Sequence, residues 1–175
     1  MKSIIQYPAI AIVLFLSAAG QAQAPLRATA DLKNGTGETV GAVLLVEQPQ
    51  GVIVRLEAKN LRPGLHAVHL HAVGKCEGPD FKSAGGHFNP IKKKHGHGNA
   101  EGAHAGDLPN MYVAADGTGQ YQTLRDGVTL KAGDTSLFDA DGSAIVIHVN
   151  ADDNTTDPTG NAGDRAACGV ISRAQ

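Results

Sequence analysis

The chain has 175 residues, a formal net charge of -2, only 4% aromatic residues, no tryptophan and 22 glycines. The length suits one domain, and the weak negative charge argues against a nucleic-acid-binding protein. The glycine content disfavours a helical bundle and favours short strands joined by turns and long loops.

The N-terminal segment has the pattern of a secretory signal peptide. Lys2 precedes an apolar run at residues 8–16 and a stretch of small and polar residues at 17–24. We predict a signal peptide over residues 1–22, cleaved near Ala22 or Ala24, and one domain over 25–175 in the periplasm or secreted. The alternative is an uncleaved anchor, but the apolar run is shorter than the roughly 20 residues that a membrane span needs. We therefore expect no membrane association after cleavage.

Short β-type segments follow one another along the rest of the chain. Alternating or β-rich runs predict strands at 26–34, 39–47, 51–59, 65–71, 111–115, 119–124, 143–149 and 168–171, with two short apolar pieces at 128–130 and 135–138. The dipeptide Asp116-Gly117 predicts a hairpin between two of these strands. The pattern predicts an all-β fold, an eight-stranded antiparallel Greek-key barrel or sandwich of immunoglobulin-like type.

Two long polar loops interrupt these strands, at residues 73–109 and 150–164. A compact domain rarely carries so long a connection without regular structure unless the connection is functional. We therefore expect both loops to contribute to a site.

Seven of the eight histidines lie in the stretch from Gly64 to Asp107. His69 and His71 are two residues apart in a predicted strand, so their side chains share one face. His104 precedes Asp107 by three residues. Histidines with one carboxylate suit a borderline divalent ion such as zinc. The spacing indicates a metal site; the alternative is a loop that is merely rich in histidine.

The exported part of the chain has two cysteines, Cys76 and Cys168. An even number in an exported protein predicts a disulfide between them. Two free thiols or two soft metal ligands are the alternatives.

Six motifs of the chain resemble the successive signatures of the copper/zinc superoxide dismutase family. They are GLHAVHLH at 64–71, GHFNP at 86–90, KHG at 94–96, HAGDL at 104–108, IH at 147–148 and GNAGDRAACGVI at 160–171. The resemblance extends, with gaps, over nearly the whole exported chain. The signal peptide and the position of Cys76 resemble the bacterial exported branch.

This resemblance implies one copper and one zinc ion per subunit. The implied copper ligands are His69, His71, His87 and His148. The implied zinc ligands are His87, His95, His104 and Asp107. Seven protein ligands can serve two four-coordinate ions only if one is shared, and in the family pattern His87 is the shared ligand.

The resemblance also implies roles for residues around the two ions. Arg165 would guide the anionic substrate, and His87 would take up and return a proton; these are the implied catalytic residues. Asp152 would join a copper-ligand histidine to a zinc-ligand histidine, with Asp153 as an adjacent competitor. His66 would support the copper ligands from beneath.

The remaining implications concern the loops and the substrate. The disulfide would pin the first loop to the last strand beside Arg165. No ligand role is implied for His97. The implied reaction converts two superoxide anions and two protons into dioxygen and hydrogen peroxide. Because the second loop has no lysine, we expect Lys92, Lys93 and Lys94 to steer the substrate, unless they only solubilise the loop.

Two rival functions share the same fold: a copper carrier without enzyme activity, and a structural domain that binds zinc alone. A zinc hydrolase resembling carbonic anhydrase is a more distant alternative, since its open zinc site needs only three protein ligands. The presence of all seven ligand positions and Arg165 favours the enzyme. The sequence leaves monomer and homodimer open.

Overall fold

A computed structural model describes residues 24–174. That part of the chain contains ten strands and one 3₁₀ helix. The elements are β1 (Arg27–Asn34), β2 (Thr39–Gln48), β3 (Gly51–Ala58), β4 (Gly64–His66), β5 (Val68–His71), the 3₁₀ helix (Lys82–Ala84), β6 (Met111–Val113), β7 (Gly119–Arg125), β8 (Ala144–His148), β9 (Arg165–Val170) and β10 (Ser172–Arg173). The all-β prediction is confirmed.

The predicted signal peptide at residues 1–22 lies outside the described residues. Across 24–174, no helix is both long enough and apolar enough to cross a membrane.

Eight of the strands form one curled antiparallel sheet, in the order β5-β8-β9-β1-β2-β3-β7, with β10 beside β1. The other two strands, β4 and β6, form a small antiparallel sheet. β4 leads into β5 after one residue, and β6 contacts β7. The small sheet therefore lies between the two edge strands of the large one, as a flattened barrel requires.

Buried and exposed side chains alternate along the central strands, and the buried ones form the core. In β1 every second side chain is buried, and in β3 Val52, Val54 and Leu56 point inwards while Arg55 and Glu57 face solvent. This is the period of two that a sheet with one solvated face requires. β5 and β8 differ because all their residues are buried. The two long loops cover the outer face of this strand pair, and the histidines lie there.

The predicted strand at 65–71 is interrupted at Ala67. The Ala67 N–H donates to the Asn150 carbonyl at 2.8 Å, and the Ala67 carbonyl accepts from the His148 N–H at 2.9 Å. The chain passes from the small sheet to the large one at this residue. The hydrogen bond from His148 also joins Ala67, the residue before β5, directly to the end of β8.

The predicted hairpin around Asp116-Gly117 forms only as a turn. The Ala114 N–H donates to the Thr118 carbonyl at 2.8 Å, but the flanking strands have other partners. β6 pairs with β4, and β7 pairs with β3. Neither of the apolar pieces at 128–130 and 135–138 forms a strand; an isolated bridge joins Thr129 to Ser136.

The two long loops contact each other closely. The Gly98 N–H donates to the Asn154 carbonyl at 2.8 Å. Gly96 has a φ of +97°, and a Cβ there would lie 2.1 Å from the Asn154 oxygen. Only glycine combines this backbone conformation with this approach.

A disulfide joins Cys76 to Cys168 and attaches the first loop to β9. The predicted pairing is confirmed. Cys168 is 1% exposed and lies in a small apolar cluster with Phe81, Ala84 and Val146. The covalent bond and this cluster fix the part of the first loop that approaches β8 and β9.

Candidate metal centre

Four histidine nitrogens converge in a first group, which comprises His69, His71, His87 and His148. Their candidate ligand atoms all lie within 4.8 Å of one another. β5 supplies His69 and His71 on one face, the neighbouring strand β8 supplies His148, and the first loop supplies His87. Two nitrogens on opposite sides of one ion would be about 4 Å apart, so the group has the dimensions of a metal site.

Hydrogen bonds orient three of these rings. His69 Nε2 donates to Asp152 Oδ2 at 2.8 Å, His71 Nδ1 donates to the Gly85 carbonyl at 2.9 Å, and His148 Nδ1 donates to the Gly163 carbonyl at 3.2 Å. Each bond leaves the other ring nitrogen with its lone pair free. The arrangement therefore prepares one acceptor nitrogen on each ring.

These acceptor nitrogens are buried. His69 Nδ1, His71 Nε2, His87 Nε2 and His148 Nε2 have no hydrogen-bond partner in the described part of the chain. Unpaired buried polar atoms are costly and call for an explanation. One bound cation satisfies all four, and a set of imidazoles suits copper. The residues present fit the ion.

The second group comprises His87, His95, His104 and Asp107. Asp107 Oδ1 lies 2.9 Å from His87 Nδ1, 3.1 Å from His95 Nδ1 and 3.2 Å from His104 Nδ1. The His87 and His104 Nδ1 atoms are 3.3 Å apart. A tetrahedral zinc with ligands at 2.0–2.1 Å has edges of about 3.3–3.4 Å. The separations are close to that tetrahedron.

The ring of His95 directs its Nδ1 towards Asp107 Oδ1, at 3.1 Å. Its Nδ1 is near Asp107 but makes no hydrogen bond within residues 24–174. The second carboxylate oxygen of Asp107 accepts the N–H groups of Gly96 and His104, both at 2.9 Å. Asp107 is thus held by the backbone, with one oxygen left towards the three imidazoles. Three histidines and one aspartate fit zinc.

Asp152 connects the two groups. Its Oδ2 accepts from His69 Nε2 at 2.8 Å, and its Oδ1 accepts from His95 Nε2 at 2.9 Å. The side chain of Asn110 holds the Asp152 backbone on both sides, at 2.8 Å and 2.9 Å. Asp153, by contrast, accepts hydrogen bonds from its own loop alone among residues 24–174. Of the two aspartates, Asp152 occupies the bridging position.

Asp152→Asn should weaken the binding of both metals by roughly 10- to 100-fold. An amide has one acceptor oxygen, so one of the two histidines would face an N–H group instead of an oxygen. Competition with chelators of known affinity measures the effect for each metal. Asp153→Asn is the matched control and should bind both metals like the wild type. Unchanged affinities in Asp152→Asn would contradict the bridging role.

Burial favours the neutral form of three of the four histidines in the first group. Burial lowers the pKa of His148 to about 3, assisted by the nearby His69, and lowers the pKa of His87 to about 4 against the opposing effect of Asp107. Burial and His87 also hold the pKa of His71 well below its ordinary value. These rings are neutral at pH 7, which is the metal-binding form of imidazole.

The second group concentrates negative charge. Burial alone would raise the pKa of Asp107 and Asp152, but hydrogen bonds from His104 and His87 to Asp107, and from His69 and His95 to Asp152, lower both. Burial lowers the pKa of His95, yet the two carboxylates outweigh it and raise that pKa to about 9. The carboxylates therefore favour a cation at this position.

Arg165 lies beside the first group. It is the cross-strand partner of His148 in the β8–β9 ladder. Its guanidinium donates to the carbonyls of Phe81 and Gly85, the latter at 2.6 Å. The Gly85 carbonyl also accepts from His71, so one peptide group positions both the arginine and a histidine of the first group.

The other two histidines lie outside both groups. His66 is buried, and its ring nitrogens contact the His148 carbonyl at 2.7 Å and the Arg62 carbonyl at 2.6 Å. Both nitrogens are thus used by the backbone, in keeping with a supporting role. His97 is exposed, and its Nε2 donates to the Asp107 carbonyl at 3.1 Å.

Sequence reasoning missed Asp157 and the backbone carbonyls that orient the rings. Asp157 Oδ1 accepts the His95 N–H at 2.7 Å. No sequence signal marks this contact, because 62 residues separate the two partners and the second loop contains several other aspartates.

Comparisons with known proteins identify relatives of the chain. The family model described as copper/zinc superoxide dismutase matches residues 39–171. "Superoxide dismutase [Cu-Zn] 1" of Aquifex aeolicus is 49% identical over 168 residues, which cover 95% of this chain and 98% of the relative. "Superoxide dismutase [Cu-Zn]" of Caulobacter vibrioides is 49% identical over 147 residues, covering 82% and 84% of the two chains.

Solved structures show the same architecture. The crystal structure of a SOD-like protein from Bacillus subtilis superposes with a TM-score of 0.80 at 41% identity, covering 82% of this chain and 97% of that one. The clock protein EA4 superposes with a TM-score of 0.73 at 34% identity, covering 87% and 98%.

Proposed function

The chain belongs to the copper/zinc superoxide dismutase family, and we propose that it removes superoxide outside the cytoplasm, with copper in the first histidine group and zinc in the second. The reaction consumes two superoxide anions and two protons and yields dioxygen and hydrogen peroxide. His69, His71, His87 and His148 would hold copper. His87, His95, His104 and Asp107 would hold zinc, one ion of each kind per subunit.

One observation carries the proposal. Four buried ring nitrogens lie close together, and none of them has a hydrogen-bond partner among the described residues. One of the four belongs to a ring whose other nitrogen lies in the second group. A carrier or a zinc-only domain has no need for a ring shared between two ion sites. His87 is that ring, with Nε2 in the first group and Nδ1 2.9 Å from Asp107 Oδ1.

Bound copper would supply one-electron redox chemistry, and zinc, which is redox-inert, would fix the shared ring. His87 Nε2 would hold a proton only while it does not bind copper, and it would pass that proton to the substrate. Asp107 Oδ1 lies 2.9 Å from Nδ1 of that ring, and both atoms would bind the same zinc ion, which would keep Nδ1 in place while Nε2 takes up or gives up its proton. A hydrogen bond to Asp152 keeps His69 oriented.

Arg165 is the proposed anion guide. Superoxide is a small monoanion with little surface to bury, so a positive charge near the site contributes more than contact area. The two carbonyl contacts of Arg165 fix the guanidinium without neutralising it. Its position opposite His148 places this charge beside the proposed copper ligands.

The proposed location outside the cytoplasm rests on the disulfide and on the N-terminal sequence. The Cys76–Cys168 disulfide is of a kind that persists in oxidising compartments. The predicted signal peptide over residues 1–22 would deliver the chain there.

Superoxide consumption by protein loaded with copper and zinc, compared with the copper-free form, tests the proposal. We expect about one ion of each metal per chain and activity only in the copper-loaded form. Zinc uptake without copper uptake would instead support a zinc-only structural domain. Full uptake of both metals without superoxide consumption would support a copper carrier.

Neutralising Lys92, Lys93 and Lys94 together should lower the second-order rate constant by roughly 10-fold at low salt, because a positive field steers the anion. The dependence of the rate on ionic strength should flatten in the triple glutamine variant. Lys92 and Lys93 should contribute most, since Lys94 lies 3.5 Å from Asp157. Stopped-flow superoxide decay at several salt concentrations measures both quantities.

The matched control for the lysine variant is Lys131→Gln, which removes a lysine that pairs with Glu47. It should leave the salt dependence unchanged. A salt slope in the triple variant equal to that of the wild type would refute steering by these lysines, although not the dismutase activity.

A further inference from the structure

We infer that Asp157 is a positioning residue for the zinc group: its carboxylate holds the His95 backbone and faces the outer nitrogen of His104. This role lies outside the seven ligands and outside the Asp152 bridge. It deepens the proposed function, because it assumes that zinc occupies the second group.

The first contact is to the backbone of a proposed zinc ligand. Asp157 Oδ1 accepts the His95 N–H at 2.7 Å. The next residue, Gly96, donates its N–H to Asp107 Oδ2 at 2.9 Å. Two successive N–H groups are thus held by two carboxylates, one from each long loop. The direction of the His95 side chain is set between them.

The second contact is electrostatic. Asp157 Oδ1 lies 3.9 Å from His104 Nε2, which is too long for a hydrogen bond but within ion-pair range. In the described part of the chain it is the one carboxylate within 4.0 Å of that nitrogen. His104 Nδ1 faces the zinc group, 3.2 Å from Asp107 Oδ1. A carboxylate facing the outer nitrogen makes an imidazole a better metal ligand.

Asp152 and Asp157 each contact the ring of a different histidine of the second group. Asp152 accepts from the outer nitrogen of His95, and Asp157 faces the outer nitrogen of His104. His87 presents its outer nitrogen to the first group. Each zinc-side imidazole therefore has its own partner, and the second loop supplies the two carboxylates.

The side chain of Asp157 is also restrained from outside. Lys94 Nζ lies 3.5 Å from Asp157 Oδ2, and the Asp157 side chain is 35% exposed. The lysine contacts one oxygen while the other oxygen faces the histidines. Because Lys94 attracts Oδ2 towards the outside, Oδ1 stays directed towards the histidines.

Two variants of Asp157 separate the two contacts. Asp157→Ala removes both and should raise the zinc dissociation constant by roughly 10-fold or more. Asp157→Asn keeps an acceptor for the His95 N–H but loses the charge facing His104, so its effect should be smaller. Chelator competition at pH 7 measures zinc affinity. Cobalt placed in the zinc group reports on ligand geometry, and its visible spectrum should shift in both variants.

Asp153→Ala is the matched control, because Asp153 lies in the same loop and, within the described part of the chain, accepts hydrogen bonds from that loop alone. It should lower loop stability without changing zinc affinity or the cobalt spectrum. An equal loss of zinc affinity in Asp153→Ala and Asp157→Ala would overturn the inference, since loop order would then be the cause. Wild-type zinc affinity and cobalt spectrum in Asp157→Ala would overturn it as well.

Metal binding and activity of the wild-type protein show whether a failure concerns the role of Asp157 or the proposed function. A wild-type protein that binds neither zinc nor cobalt would overturn both. A wild-type protein that binds zinc and dismutates superoxide, alongside an unaffected Asp157→Ala variant, would overturn the role of Asp157 alone.

Discussion

Replacing His148 by alanine should reduce superoxide consumption by roughly 100-fold or more while leaving zinc bound. His148 Nε2 belongs to the first group and has no place in the second. Its loss leaves three imidazoles for copper and removes the Nδ1 contact to Gly163. Zinc should stay because its three histidines and Asp107 are untouched. Metal analysis and stopped-flow superoxide decay, on the same sample, measure both effects.

His97→Ala provides the matched control for the histidine substitution. His97 is exposed, and its side chain donates a hydrogen bond to the Asp107 carbonyl. Its loss should leave copper content and rate close to those of the wild type. Full activity in His148→Ala would refute the assignment of copper to the first group. Loss of zinc from that variant would show that the two groups do not form independently.

The central strands could be predicted from alternation and from runs rich in β-forming residues. β1, β2 and β3 were expected at 26–34, 39–47 and 51–59 and lie within one residue of those limits. Each strand has one buried face, so apolar residues recur at about every second position of its sequence. The same rule placed His69 and His71 on one face of a strand, and both belong to the first group.

Pairing partners could not be predicted in the same way. The turn at Asp116-Gly117 forms as its residues require, yet β6 and β7 join different sheets. A turn motif fixes the local chain reversal, whereas the ladder depends on which strands lie nearby. The break at Ala67 has the same origin, since its partners His148 and Asn150 are distant in sequence.

In the site, too, local sequence motifs could be predicted, whereas contacts between distant loop residues could not. The ligand set was expected from the resemblance, because its motifs are local and ordered. The resemblance favours Asp152 over its neighbour Asp153, but the residues alone do not separate them, because adjacent residues in a loop have no fixed direction. The structure distinguishes them by contact with His69 and His95. Asp157 was missed because its contacts depend on how the two long loops pack together.

Polar and covalent links help to hold both long loops in place. Within the first loop, residues 73–85 contain Cys76 of the disulfide and the carbonyls of Phe81 and Gly85. These carbonyls accept from Arg165, and Gly85 also accepts from His71. The disulfide should therefore stabilise the fold and position the anion guide at the same time.

Removing the disulfide by Cys76→Ala and Cys168→Ala together should lower the free energy of unfolding by up to about 4 to 5 kcal/mol. The bond closes a sequence separation of 92 residues, and so long a loop restricts the unfolded chain strongly. Denaturant unfolding of the wild type, with and without a reductant, should reproduce the difference. The superoxide rate should fall too, because Arg165 would lose its fixed carbonyl partners. Equal unfolding free energies in the oxidised and reduced wild type would contradict the stabilising role, whereas an unchanged rate would separate Arg165 from the disulfide.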